Sequence, residues 1–467
     1  SSSRCSTGTT DRLTRLGASV RDPSGFVFDR DGVLYRQVNR VFADEFDACS
    51  SSGLYDQLIA DRLLVPHAAA DVSLALTADA YAVVEPERIP FISYPYEWCF
   101  GELKDAALLT LAVQSRALEL GFVLRDASAY NIQFVDGRPV FMDTLSFERY
   151  RDGEPWVAYK QFCQHFLVPL MLMARRDIRF GLLLREYLDG IPLDFGSAML
   201  PKRSWADIRA LLHIHMHARA QRKYSETKVS SAVGTRRMAK SALVALSENL
   251  SEAIERLTWQ PDGTQWANYV QDTNYSDAAV ASKQDTIRRY LRESNPAVVW
   301  DIGANTGVYS RIAREIAPLV ISFDIDPAAV ERNYRTVRLE KETGILPLLM
   351  DLTNPSPALG WAHAERMSLE ERGPANVVMA LALVHHLAIG NNVPLSHVAA
   401  FMAQLGHNLI IEFVDKEDSQ VVRLLRNRAD IFDDYTKEGF ENAFAAFFVI
   451  NECEQVGDAR RWLYSMR

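Results

Sequence analysis

The sequence predicts an α/β protein in two unlike parts: an α+β amino-terminal half, and a carboxyl-terminal half built on one largely parallel sheet. Three observations carry this. Up to about residue 100, short alternating apolar runs are separated by turns. From Phe100 to about Ser225, apolar residues recur at three- and four-residue spacing, the period of helices. Beyond Asn295, apolar strand-like runs alternate with helical segments, as in a parallel sheet covered on both faces. At 467 residues the chain is long enough for two or three domains with cores of their own, and no internal repeat is visible.

Taken in order, the polar Ser1–Thr10 stretch opens a loose terminus over 1–24. Gly25–Val38 reads as a hairpin, with Asp-Arg-Asp-Gly between two alternating segments. Ala106–Leu120 and Trp156–Arg175 carry helical stripes, and Asn131–Asp143 forms a strand–turn–strand with Asp-Gly at its turn. This first unit runs over 25–225. Thr227–Thr258 is amphipathic and charged, and Trp259-Gln-Pro-Asp-Gly263 stops it, so 226–264 is expected to be a helical connector. The second unit, 265–467, has strands at Ala297–Asp301, Leu319–Asp324, Ile345–Asp351, Asn376–Leu383 and Asn408–Val414. Phe447–Cys453 and Arg461–Met466 follow closely on one another, as in an antiparallel edge hairpin.

Composition narrows the function classes. With 51 Lys and Arg against 60 Asp and Glu the formal charge is −9, so the broad positive field of a nucleic-acid binder is missing. The cysteines (Cys5, Cys49, Cys99, Cys163, Cys453) are scattered without a CxxC pair, which indicates neither a zinc cluster nor a disulfide framework. The longest apolar run, Phe166–Ala174, is far short of the ~20 residues a bilayer span needs. A cytoplasmic protein with no membrane span is expected.

The strongest chemical signal is Val298-Val-Trp-Asp301-Ile-Gly303-Ala-Asn305-Thr-Gly307, a buried strand entering a glycine-bearing turn and then a helix. The next strand ends at Asp324, placed to accept both hydroxyls of a ribose, and a third acid, Asp351, follows at the same edge. The turn begins with an acid, which would oppose a pyrophosphate and suit an ammonium. The pattern resembles the first motif of the class I S-adenosylmethionine-dependent methyltransferases, over roughly Asp272 to the end. The resemblance implies a seven-stranded, Rossmann-like sheet with S-adenosylmethionine as cofactor. It implies that Gly303, Asn305 and Gly307 shape the loop around the methionine part and that Asp301 orients that loop and the amino group. Asp324 would take the ribose hydroxyls and Asp351 the adenine amino group. Tyr275 or Lys283, just before the first strand, would meet the methionine carboxylate, although aromatic packing of an added helix explains the segment equally well.

Ala380-Leu-Ala-Leu-Val-His385-His386-Leu-Ala-Ile-Gly-Asn-Asn-Val-Pro394 follows the fourth strand, where this fold places the methyl acceptor. With Leu409-Ile-Ile-Glu412-Phe-Val and Asp430–Thr436 it resembles a bacterial methyltransferase group related to a rhizobial host-specificity nodulation protein. His385 or His386 is the candidate base, and Glu412 a partner for it or a ligand for an acceptor amine. A His that merely caps the strand explains the same residues. No metal site is expected in this domain.

The amino-terminal half has a second constellation. Asp126, Asn131 and Asp143 have the spacing at which a loop and a hairpin bring together a carboxylate for a hydroxyl and two magnesium ligands. The region resembles the catalytic loop and metal-binding motif of the protein-kinase-like superfamily, above all its small-molecule phosphotransferase branch. That implies a two-lobed kinase-like domain, with a small lobe over 25–95, a helical lobe over 96–225 and Ile92–Trp98 as the interlobe hinge. ATP and magnesium become candidate ligands, with Asn131 and Asp143 as the magnesium pair. The departures are marked. Leu124 stands where the loop usually has His, Met142-Asp-Thr-Leu replaces Asp-Phe-Gly, no glycine-rich loop precedes the hairpin, and residues 1–103 contain no lysine. Arg36 or Arg40 would have to replace that lysine, with Glu45 as partner. His213, His215 and His217 would splay around a helix and serve as surface or lobe contacts.

The expectation is methyl transfer to an O or N of a small or carrier-borne metabolite, such as a specialised metabolite or glycan intermediate. On this reading the kinase-like half is non-catalytic and helps bind substrate. Two alternatives stand beside it: a bifunctional kinase and methyltransferase, or an amino half that binds a partner protein.

Overall fold

The architecture comes from a computed structural model, which describes residues 13–219, 238–262, 277–426, 429–457 and 459–467. The amino half begins with an antiparallel sheet of β1 (Leu13–Arg15), β2 (Gly25–Arg30), β3 (Val33–Asn39), β4 (His67–Ala70) and β5 (Ala80–Pro86), in the order β1-β2-β3-β5-β4. The β2–β3 hairpin closes on Asp31 and Gly32, both at positive φ (54° and 86°), the turn that matches strand twist. Residues 13–24, expected to be a loose terminus, belong in part to this sheet: β1 pairs with β2, and the loop behind it carries Arg21 and Asp22.

Helices Ala43–Ser51 and Leu54–Ala60 separate β3 from β4. After β5 the chain passes through Pro90–Cys99 into the long helix Phe100–Glu119, whose buried face includes Leu103, Ala107, Val113 and Ala117. β6 (Phe122–Leu124) pairs with β9 (Phe147–Arg149), and between them β7 (Ile132–Val135) and β8 (Arg138–Phe141) form a hairpin on Asp136-Gly137. The expected helix to Arg175 is present from Tyr159, with a π-helical stretch at Cys163–Leu167.

The expected connector is different. Of its residues, 226–237 and 263–264 lie outside the described ones. Lys240–Glu255 buries Leu243, Leu250 and Ile254, and just behind it Lys104 Nζ donates to the Glu255 and Leu257 carbonyls at 2.8 and 2.9 Å. Its apolar stripe makes this helix a layer of the helical region, not a bridge.

In the carboxyl half, helix Asp277–Ser294 leads to β10 (Val298–Ile302), β11 (Leu319–Asp324), β12 (Ile345–Leu349), β13 (Ala375–Ala380), β14 (Gly406–Val414), β15 (Ile450–Gln455) and β16 (Arg461–Met466). They form one sheet in the order β12-β11-β10-β13-β14-β16-β15, parallel except for β16, which runs against both of its neighbours. The edge hairpin is therefore present, with β16 inside it.

The two faces are covered differently. On one, Val299, Val320, Val377 and Met379 lie beneath Ile287, Leu291 and Ile312 from the domain's own helices. On the other, Trp300, Phe323, Leu346 and Leu348 share a single core with the amino half. Phe91 stands edge-on to Trp300 and Phe323, with centroids 5.9 and 6.1 Å apart. The reason lies in the connection from β12 to β13. It has no α-helix, only the short turns Trp361–His363 and Glu370–Arg372, and an uncovered apolar sheet face must find its cover elsewhere. The segment Ile92–Trp98, expected as a hinge, lies in the chain between β5 and the long helix and packs against the carboxyl half. There Glu97 and Arg372 form an ion pair with both side chains 1% exposed.

Candidate active site

The loop after β10 is built around three left-handed residues, Gly303, Asn305 and Gly307 (φ 79°, 50° and 79°). Gly307 is required by packing as well. A Cβ there would stand 2.5 Å from the Asn333 side chain and 2.7 Å from Arg311 Nη1. The Gly303 and Ala304 amides donate to the Phe323 carbonyl at 2.8 and 2.9 Å, which folds the loop onto the end of β11. Arg311, which sequence reasoning missed, clamps the loop from the following helix. Its Nη1 donates to the Thr306 and Gly307 carbonyls at 2.9 and 3.0 Å, and its guanidinium pairs with Glu342 at 2.8 Å.

Three acids meet at this edge. Asp324 accepts the Asn305 amide at 2.7 Å and the Asp326 amide at 2.8 Å. Burial nonetheless pushes its carboxyl up to about 6. Asp301 accepts the Ser310 hydroxyl at 2.6 Å, tying its strand to the next helix, and burial pushes it up to about 7 against the help of that bond. Asp351 follows β12 and accepts both the amide and hydroxyl of Thr353, at 2.8 and 2.6 Å. The Met350 amide donates to the Asp324 carbonyl at 2.9 Å, which brings the ends of β11 and β12 side by side.

Beyond β13 lies the His pair. His385 is fully buried and neither ring nitrogen has a hydrogen-bond partner among the described residues; His386 lies 4.1 Å away, ring to ring. Burial drives both below the ordinary imidazole range, His386 to about 4, so both are neutral at pH 7. Glu412 pairs with Lys283 at 2.7 Å, and both side chains are closed to solvent (0% and 2% exposed). The reason is electrostatic: a carboxylate within a sheet needs a buried cation, and the preceding helix supplies it. Arg461, on β16, comes within 3.9 Å of Glu412 and donates Nε to Asp418 at 2.8 Å. Its signal was a basic residue opening an apolar strand. Tyr275 lies outside the described residues.

In the amino half, Asp126 accepts the Ser128 amide at 2.9 Å and Gln161 Nε2 at 2.7 Å. Burial, then the charge of Asp143, raises its carboxyl above the usual range. Asn131 Nδ2 reaches Ser146 Oγ at 3.4 Å, and Ser146 donates to Asp143. The predicted trio is therefore one cluster. Arg36, from β3, meets Asp143 at 2.5 Å, while Asp22 stands 3.7 Å from Arg36 and 3.5 Å from Arg125. Arg40 is exposed, and Glu45 pairs with Arg149 at 3.0 Å, not with either candidate arginine, because the Ala43–Ser51 helix sets it against β9. Two of the three histidines on 213–217 are interior and partnered, not surface. His213 bridges Tyr159 and Asn249, each at 2.7 Å, and His215 lies between Ser197 and Ser204. Among the described residues, no three His, Cys, Asp or Glu side chains converge to hold a metal ion.

A seven-stranded sheet with one antiparallel inner strand, a glycine-bearing loop after its first strand and acids at the ends of the next two defines a class I methyltransferase domain. Over its whole length the chain is 37% identical to nodulation protein NoeA of Rhizobium meliloti (strain 1021), across 462 residues that cover 97% of this chain and 96% of the relative. The chain belongs to the NoeA nodulation-protein family. Among solved structures it is similar to the N-methyltransferase NodS from Bradyrhizobium japonicum WM9 in complex with S-adenosyl-L-homocysteine. That likeness has 11% identity, 44% of this chain, 98% of that one and a TM-score of 0.30. Another is magnesium protoporphyrin IX methyltransferase from Synechocystis PCC 6803 with S-adenosylhomocysteine (18% identity, 44% and 90% covered, TM-score 0.28). No family model matches the chain. No helix among the described residues is long and apolar enough to cross a membrane.

Proposed function

We propose that the chain transfers a methyl group from S-adenosylmethionine to an oxygen or nitrogen of a small or carrier-borne metabolite. The observation that carries this is the edge where Asp301, Asp324 and Asp351 meet the left-handed loop 303–307. The residues fit the cofactor chemically. Asp324 has free lone pairs beside two amide bonds and suits two ribose hydroxyls. Asp301, with its raised carboxyl, gains from a nearby ammonium. A Cβ on Gly303 would meet nothing nearer than 3.5 Å, so the backbone there is open to close approach. When bound, the cofactor supplies a sulfonium methyl group. The protein's part is alignment, together with removal of a proton where the acceptor is a hydroxyl or ammonium. His386, neutral at physiological pH, is the side chain we assign to that proton, with His385 packed against it. Calorimetric titration with S-adenosylhomocysteine tests the reading. Micromolar binding that survives in neither Asp301→Ala nor Asp324→Ala supports it; unchanged binding in both overturns it.

For the amino half we propose a kinase-like lobe pair without phosphoryl transfer that helps to hold the acceptor. An antiparallel sheet with a helix pair, a linking segment, a long helix and a loop-plus-hairpin bearing Asp126, Asn131 and Asp143 supports the first point. The salt bridge from Arg36 to Asp143 supports the second, since it places a guanidinium where magnesium would have to bind. ATP with magnesium should then give no binding heat, and magnesium-dependent micromolar binding would restore the bifunctional reading.

A further inference from the structure

The connection from Asp351 to Pro374 must travel from the cofactor edge of the sheet back to the opposite edge, because β12 and β13 are parallel. It does so without a helix, and the amino half holds it. The Glu97 carboxylate receives Arg372 Nη1 and Nη2 at 2.8 and 2.6 Å, Ser356 Oγ at 2.5 Å and the Tyr94 amide at 3.0 Å. Arg372 also donates to the Ile92 carbonyl at 2.9 Å, and the Met367 amide donates to Tyr94 Oη at 2.7 Å. Burial works against the Arg372 charge, and Glu97 more than restores it. Arg185 reaches Asn354 Oδ1 at 3.3 Å. Asn354 and Ser356 stand in the first turns after Asp351, and the Asn354 amide closes back on the Asp351 carbonyl at 3.0 Å. The turn that presents Asp351 is therefore pinned by side chains of the other half.

We infer that the amino half is part of the cofactor site. Glu97 is a positioning residue that acts through Ser356 and Arg372 to hold Asp351 where it selects a purine bearing a 6-amino group. This rests on the reading of Asp351 as the adenine contact. It reaches past that reading, because it assigns nucleoside selectivity to residues outside the methyltransferase domain. A held acceptor discriminates between a donor and an acceptor on the ligand far better than a mobile one does.

The test is equilibrium titration of the full chain with S-adenosylhomocysteine and with S-inosylhomocysteine, in which an oxo group replaces the amino group. Wild type should prefer the adenosyl compound. Ser356→Ala, which leaves the Glu97–Arg372 pair intact, should weaken the adenosyl compound by about fivefold to tenfold, part of what one hydrogen bond to a charged group is worth. It should leave the inosyl compound within about twofold, so that the preference collapses. Ser356→Thr keeps the hydroxyl and should keep the preference. Glu97→Gln should lose more, and if that variant fails to fold the serine pair still decides. Equal weakening of both compounds in Ser356→Ala, or no change in either, overturns the inference. Loss of binding in Asp324→Ala alongside such a result would leave the methyltransferase reading standing. Failure of wild type to bind either compound would overturn both.

Discussion

The sheet edge and the acid cluster of the amino half treat carboxylates in opposite ways. At the edge, Asp301 and Asp324 are hydrogen-bonded to a hydroxyl and to backbone amides, and burial raises both carboxyls, to about 7 and 6. In the amino-half cluster, Asp143 is matched by Arg36, and Asp22 lies between Arg36 and Arg125. A carboxylate satisfied by neutral donors keeps a demand for positive charge and for further hydroxyls. One already matched by a guanidinium has that demand met from within the chain. The same residue type in a buried cluster thus marks a ligand site in one half and a self-contained network in the other.

The largest expected effect separates the two directly. Asp324→Ala should weaken S-adenosylhomocysteine by about a hundredfold or more by calorimetry, since two hydrogen bonds to a charged group go at once. Asp126→Ala should leave that affinity within about twofold. Comparable losses would mean that the two sites are energetically one, and the contrast would fail. Next in size is Arg36→Ala. Asp143 is 13% exposed, and without its cation it should cost the fold about 2 kcal/mol in denaturant unfolding. Adding magnesium should recover part of that loss in the variant and change wild type little. Recovery would show that Arg36 stands in for a metal; no effect of the ion on either protein would show that the cluster has no metal geometry left to rescue.

What the sequence disclosed and what it withheld follow the same division. Asp301, Asp324 and Asp351 were legible because each ends an apolar strand, so a local pattern fixes which edge it reaches. The Asp126, Asn131 and Asp143 cluster was legible for a similar reason, an Asp-Gly turn that folds two strands together. Partnerships across the fold were not. Glu412 in Leu-Ile-Ile-Glu-Phe-Val announces a buried charge, yet nothing local tells that Lys283 neutralises it. The pairing of Glu45 with Arg149 was hidden for the same reason. Most consequential was the missing helix between β12 and β13. Helical segments were expected between these strands, but 352–374 holds only short turns, and only packing reveals that Phe91 and Glu97 cover the face left open.

The smallest expected effect is also the one that sharpens the contrast at the level of protons. Asp301 and Asp324 have carboxyls raised above the ordinary value of 3.8. The folded chain therefore binds protons more tightly than the unfolded one. The stability this contributes is fully present below about pH 4 and lost as pH rises through about 6 to 7. A ligand that brings hydroxyls and an ammonium favours the ionised carboxylates and draws the equilibrium the other way. Affinity for S-adenosylhomocysteine should accordingly strengthen by roughly tenfold between pH 5.5 and 7.5, with protons released on binding. Calorimetry in buffers of different ionisation enthalpy measures that release. Asp301→Asn should flatten the upper part of the profile, near pH 7, and leave the part near pH 6 to Asp324. A profile flat across the whole range in wild type would mean that the ligand leaves these carboxyls untouched, and that the edge is as self-contained as the amino-half cluster.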